Sequence, residues 1–299
     1  MDFIPCIPVI PPDPFAAAAI AVQHNPANAA VFPTHWPAGM ELPTPQHMAL
    51  HTSAYWGSRG AVLTVGFMES TPTDLQARIL SHMNAWNAHC NIKFVLASDP
   101  QVRITRSGDG YWSYLGTQIL TIPKNQPTMC LSRFTMDTPE GEYRRVVRHE
   151  TGHTLGFPHE HQLPEIIDLL DVSKTLAWGP RALGWSEQMI RSQILTPPDM
   201  RTIRMTPHAD VRGIMCYSLP ASITKNGQPI PGGTDIDATD AEYAATMYPK
   251  ENPPPPPPPG GSGNTRLVIE GRGRNWAVTS VTATAAEEPD PDPGLPPAV

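Results

Sequence analysis

Residues 149 to 161 read HETGHTLGFPHEH, which packs four of the chain's eleven histidines into thirteen positions. His149 and His153 are four apart, so on a helix both imidazoles project from one face toward a shared point. Glu150 follows the first, about 100° round the helix. From there it reaches a water at that point without itself being a ligand. A third histidine, His159, cannot meet the same point from a continuing helix. Gly156 supplies the turn, because glycine enters the left-handed conformation without penalty, and Pro158 keeps the helix from resuming. Histidines suiting a helix dipole would explain His153 or His159 singly, but not the glycine and the spacing together.

Three neutral imidazoles with one open position is the layout of a catalytic zinc, whereas structural zinc sites close with four ligands, mostly cysteines. Zinc there would lower the pKa of water to about 7 and polarise a carbonyl. Glu150 would take the proton of the attacking water and deliver it to the leaving amine. The pattern therefore predicts zinc-dependent hydrolysis of peptide bonds, with protein or peptide substrates. Two other readings exist. A non-catalytic zinc-binding or adhesion module would keep the ligands but gives Glu150 no task. An interaction protein would work through its proline-rich extension.

The elements that must hold these residues can be read around them. AVLTVGFM (61–68) is a compact β-branched run and predicts a strand; IKFVL (92–96), VRIT (102–105) and QILTI (118–122) predict others, and TMCLSRFT (128–135) a weaker one. Thr71-Pro72-Thr73-Asp74 carries a hydroxyl cap, a proline and an acid. Leu75, Ile79, Leu80, Met83 and Trp86 then step by three and four, so an amphipathic helix is expected to about His89. Asp137-Thr138-Pro139-Glu140 repeats that opening ahead of the helix bearing Val146, Val147 and the first two histidines. Shorter helices fit 171–178 and 185–195, and a last one fits ATDAEYAATMY (238–248).

HExxHxxGxxH is the metzincin signature, and HETGHTLGFPHEH resembles its astacin-like branch, where Gly-Phe-x-His-Glu is typical. GIMCYSLP (213–220) resembles the Met-turn of the same group. WGSRGAVLTVGF, GYWSYLG and DATDAEYAATMYP look like segments of bacterial relatives, so the resemblance covers roughly residues 53–250. It implies an α+β, metzincin-like catalytic domain: a twisted mixed sheet with two long helices above the cleft, then an irregular lower subdomain with a C-terminal helix. It further implies Met215 beneath the metal, Tyr217 as a switch tyrosine assisting the transition state, and TMCLSRFT as the sheet edge along which a peptide lies extended. Glu160 would help organise the mature N-terminus. The sequence departs from astacins proper at Gly213 and Cys216, where serine and histidine are favoured. It also lacks the Phe-x-Gly-Asp that supplies a blocking aspartate in their propeptides.

The remainder frames this body. With 37 prolines among 299 residues, concentrated near the ends, one globular body with extensions is expected. Residues 1–52 read as an extended, proline-rich arm, a candidate pro-region. Residues 251–299 read as a polyproline and Gly-Ser linker with a largely disordered tail, the linker offering a site for a partner. The net charge of −7 gives no reason to expect nucleic acid or an anionic membrane as partner, and no stretch is apolar enough for a membrane span. Proline breaks the apolar N-terminus, so no clear secretory signal is legible, although the resemblance implies secretion. Four scattered cysteines do not form a disulfide framework. Cys6 sits between prolines in the arm, where a thiolate could cap the metal; a solvated terminal cysteine is the commoner case. His161 reads as a residue at the surface or behind the ligands.

Overall fold

The computed structural model describes residue 6, residues 9–29, 54–197 and 209–250, and the backbone of two strands at 265–272 and 275–283. Contacts divide the chain into two compact units, residues 1–255 and 256–299. In the first, strands β1 (Ala61–Phe67), β2 (Ile92–Leu96), β3 (Val102–Thr105), β4 (Tyr111–Ser113) and β5 (Met129–Leu131) form one mixed sheet in the order β2-β1-β3-β5-β4. All pairings are parallel except β4 with β5, so β4 is an antiparallel edge. The expected edge, TMCLSRFT, is instead covered on both sides. Its strand is only three residues long, and GYWSYLG folds back beside it.

Helices cross one face of this sheet. Helix α1 (Pro14–His24) belongs to the arm, and α2 (Thr73–Met83) follows β1. Leu75, Ile79 and Met83 of α2, with Trp86 beyond it, are almost wholly buried, each contributing about 2 kcal/mol by leaving water. The expected Thr71 cap is not made: Pro72 occupies the cap position, and the Thr71 hydroxyl donates to Glu69 O instead. The helix also stops at Met83 rather than His89, because the Asn84 side chain turns to bond Leu80 O and both backbone groups of Phe94. QILTI is a 3-10 helix, Gly116–Thr121, not a strand. Its β-branched residues pack as a buried turn rather than extend, since Thr117 N is bonded to Ala54 O.

The histidine helix is built in three pieces: a turn at Glu140–Glu142, a π turn at Tyr143–Val147, and α3 (Arg148–Leu155). Below it lie α4 (Val172–Leu183), a short helix Glu187–Ile190 with a π turn Arg191–Leu195, and α5 (Ala238–Met247). Two hydrophobic clusters result. One joins the sheet to α2, α3 and α5; the other lies in the lower half around Ile166, Leu170, Trp185, Ile190 and Tyr217, and includes Cys6.

The arm differs most from its sequence reading as an extended segment. Asp13 caps α1 by accepting from Phe15 N and Ala16 N, Pro14 starts it, and five alanines and isoleucine sustain it. The helix packs on the 3-10 turn Gly116–Thr121, burying Ala17 and Ala21. Polyproline residues 253–259 lie outside the described residues. Beyond them, β6 (Thr265–Arg272) and β7 (Asn275–Ala283) form an antiparallel ribbon.

Candidate active site

Helix α3 ends where the sequence requires. Gly156 has φ of +97° in the left-handed region, and Phe157 N bonds Gly152 O to close the turn. The same turn brings Phe157 O to accept from His153 Nδ1 at 2.8 Å. His149 Nδ1 donates to Ile214 O at 2.7 Å. Ile214 belongs to the GIMCYSLP segment, and its own N–H is held by Asp240 Oδ2, 2.9 Å away at the start of α5. Backbone carbonyls thus fix the tautomer of both rings, leaving each Nε2 as a bare lone pair.

Those lone pairs converge. His159 Nε2 lies 3.2 Å from His149 Nε2 and 3.1 Å from His153 Nε2. With the His159 Nε2 unprotonated as well, three buried acceptors this close repel unless something positive lies between them. Donors bonded to one tetrahedral zinc at about 2.0–2.3 Å stand about 3.3–3.6 Å apart, so the cluster fits such an ion. Burial holds all three rings neutral: His149 is pushed down to about 4, and His153 and His159 well below their usual value. Burial pushes Glu150 the other way, to about 8; a cation at the three nitrogens would favour its ionised form.

Cys6 completes the group. Its Sγ lies 3.3 Å from His153 Nε2 and 3.5 Å from Glu150 Oε2, and the four donor atoms of Cys6, His149, His153 and His159 all lie within 4.8 Å of one another. Main-chain contacts seat it as well: residue 6 forms a parallel bridge to Tyr111 on the β4 edge, and Tyr217 donates its phenol proton to Cys6 O. Further along the arm, Asn28 is buried. Its side chain donates to Tyr55 O at 2.9 Å and to Ala21 O at 2.9 Å, and accepts from Tyr55 N at 3.0 Å. The only sequence signal for Cys6 was a thiol in a proline-fixed segment, and no local pattern gave its distance from residue 153.

Met215 lies under α3, its sulfur so close to Gly152 that any side chain there would collide with it. Gly213 has a similar cause. A Cβ at that position would strike Glu160 Oε2, which is buried without a hydrogen-bond partner. Desolvation, then Asp240, Asp210 and Asp237, raise Glu160 to about 8. His161 is not at the surface. It is fully buried, and its ring stacks on Tyr217 with centroids 3.8 Å apart. Cys90, Cys130 and Cys216 are buried free thiols.

No family model matches the sequence, and no curated protein is similar to it at the sequence level. Solved structures are similar. One structure of myroilysin aligns with 32% identity and a TM-score of 0.61, covering 66% of this chain and 96% of that one. A crystal structure of myroilysin aligns with 28% identity and a TM-score of 0.50, covering 83% of this chain and 100% of the other. A fainter likeness, 20% identity and a TM-score of 0.44 over 64% of this chain and 90% of the other, is to high choriolytic enzyme 1, a hatching enzyme zinc-protease from the medaka fish Oryzias latipes. Among the described residues no helix is long and apolar enough to cross a membrane. With nearly a third of positions identical along almost all of one myroilysin chain, this chain belongs to the astacin-like metzincins and is a zinc metallopeptidase.

Proposed function

We propose that the chain is an endopeptidase in which His149, His153 and His159 hold the zinc, Glu150 is the general base, and Cys6 of the arm closes the site as a fourth ligand. The observation that carries this is the meeting of three neutral imidazoles, two of them fixed by backbone carbonyls, at one buried point beside a carboxylate. Zinc bound there supplies a Lewis acid that lowers the pKa of water and polarises the scissile carbonyl. Glu150 accepts a proton from the attacking water as its oxygen bonds to the carbonyl carbon. It returns that proton to the nitrogen as the C–N bond breaks, so the amine leaves neutral and the base is restored. Tyr217 donates its hydroxyl to the oxygen that gathers charge. In the arm-bound state it already holds a peptide carbonyl, that of Cys6.

The thiol lies within reach of both Glu150 and His153, so it would keep an attacking water from the carboxylate. The arm-bound chain is therefore latent, and residues 1–52 act as a pro-region. The test uses the full chain with Cys6→Ala, with and without Glu150→Gln, beside wild type. All three should bind one zinc. Cys6→Ala should digest a denatured protein, and wild type and the double variant should not. Digestion by Cys6→Ala/Glu150→Gln would remove Glu150 from its role, and full activity in wild type would remove Cys6 from its own.

A further inference from the structure

We infer that His161 is a positioning residue for the reaction, setting the ring of Tyr217 so that its phenol oxygen faces the metal end of the cleft. This rests on the role of Tyr217 proposed above. The two rings stack face to face, with centroids 3.8 Å apart and planes 19° from parallel. Tyr217 also meets His159 at 4.6 Å and 60°, and His159 meets His161 at 4.9 Å. The tyrosine ring is thus confined by a metal-ligand histidine and by a flat neighbour two residues further along the chain. That neighbour is itself fixed, since His161 Nε2 donates to Gln193 O at 2.9 Å, in the π turn of the lower half.

The other nitrogen shows which part of the residue is used. His161 Nδ1 is buried and makes no hydrogen bond, a cost the fold tolerates although a carbocyclic ring would avoid it. Histidine offers a flat face to Tyr217 and a tether to Gln193 together. The phenol needs that face because Tyr217 follows the Met-turn on an irregular stretch, where no helix or strand holds it. Without the platform the ring pivots about its Cα–Cβ bond and its oxygen moves. A displacement of about 1 Å at a catalytic group costs up to roughly a hundredfold in rate.

The test compares His161→Ala, His161→Gln and His161→Phe, each in the full chain carrying Cys6→Ala, with a peptide substrate. His161→Ala and His161→Gln should lower kcat about tenfold or more, with KM little changed and one zinc retained. His161→Phe keeps the face and should stay within about threefold of its parent. In a background that also carries Tyr217→Phe, His161→Ala should cost less than about twofold further, because its effect passes through the phenol. A second readout needs no turnover. In the latent chain with Cys6 intact, His161→Ala should speed alkylation of Cys6, located by peptide mapping, whereas His161→Phe should not. Additive losses in the double variant, or a Phe variant as impaired as Ala on both readouts, would overturn the inference. A Cys6→Ala parent without turnover would instead overturn the proposed function.

Discussion

Burial suits the three clustered histidines to the ligand role proposed for them. An unperturbed imidazole is half protonated near pH 6.5, yet His149 is pushed down to about 4 by desolvation. The neutral, ligating form therefore persists through the range where a solvated histidine would lose its metal. Zinc content measured after dialysis should be unchanged at pH 6 and should fall as the pH passes through about 4. Zinc still bound in full at pH 3 would argue against an all-histidine core. Glu160 carries the opposite sign. Its folded pKa, about 8, lies above the unfolded value near 4.5. Its neutral form thus favours the fold at low pH, and that contribution is lost as pH rises between the two values. Glu160→Gln should then melt at the wild-type temperature at pH 4.5 and above it at pH 8.5; equal melting at both would mean that the carboxyl is not held protonated.

At the scale of elements, what was legible followed from short-range rules. The histidine helix and its stop at Gly156 follow from spacing and one left-handed glycine, and the first three strands from β-branched runs. Gly156→Ala should destabilise the chain by roughly 1–3 kcal/mol in denaturant unfolding, through its positive φ and the nearness of Ala54 O and the Tyr55 ring. What was not legible depended on distant partners. QILTI satisfies a strand pattern, but Ala54 O, far away in sequence, takes the Thr117 amide and winds the segment into a 3-10 turn. The edge of the sheet fell to β4 because a fold-back beside a three-residue strand leaves no periodic trace. His161 looked idle because stacking on Tyr217, 56 positions on, has no local signature. Cys6 was legible as a thiol able to cap the metal but not as one that reaches it, since the arm's course depends on α1 finding the turn at 116–121.

At the scale of the whole molecule, the chain is a peptidase body with a docked arm and a separate C-terminal unit. Deleting residues 256–299 should leave the melting temperature and the activity of the Cys6→Ala chain unchanged; loss of either would mean that the second unit contributes to the fold or the site. Besides the packing of α1, the arm has two chemically independent polar dockings, one a thiol among imidazoles and the other an amide clamped on the Tyr55 main chain. Asn28→Ala should remove about 1–3 kcal/mol of arm attachment and be visible as faster alkylation of Cys6 in the intact chain.

The parallel bridge from residue 6 to Tyr111 joins the segment proposed to be inhibitory to its target within one polypeptide. A tethered group of this kind meets its site at an effective concentration on the order of millimolar, set by the linker and not by the amount of protein present. Latency in the proposed state is accordingly a first-order property: a thousandfold dilution leaves it untouched. Once the connecting chain is cut, the same contacts become a two-body equilibrium, and dilution alone then favours the free enzyme.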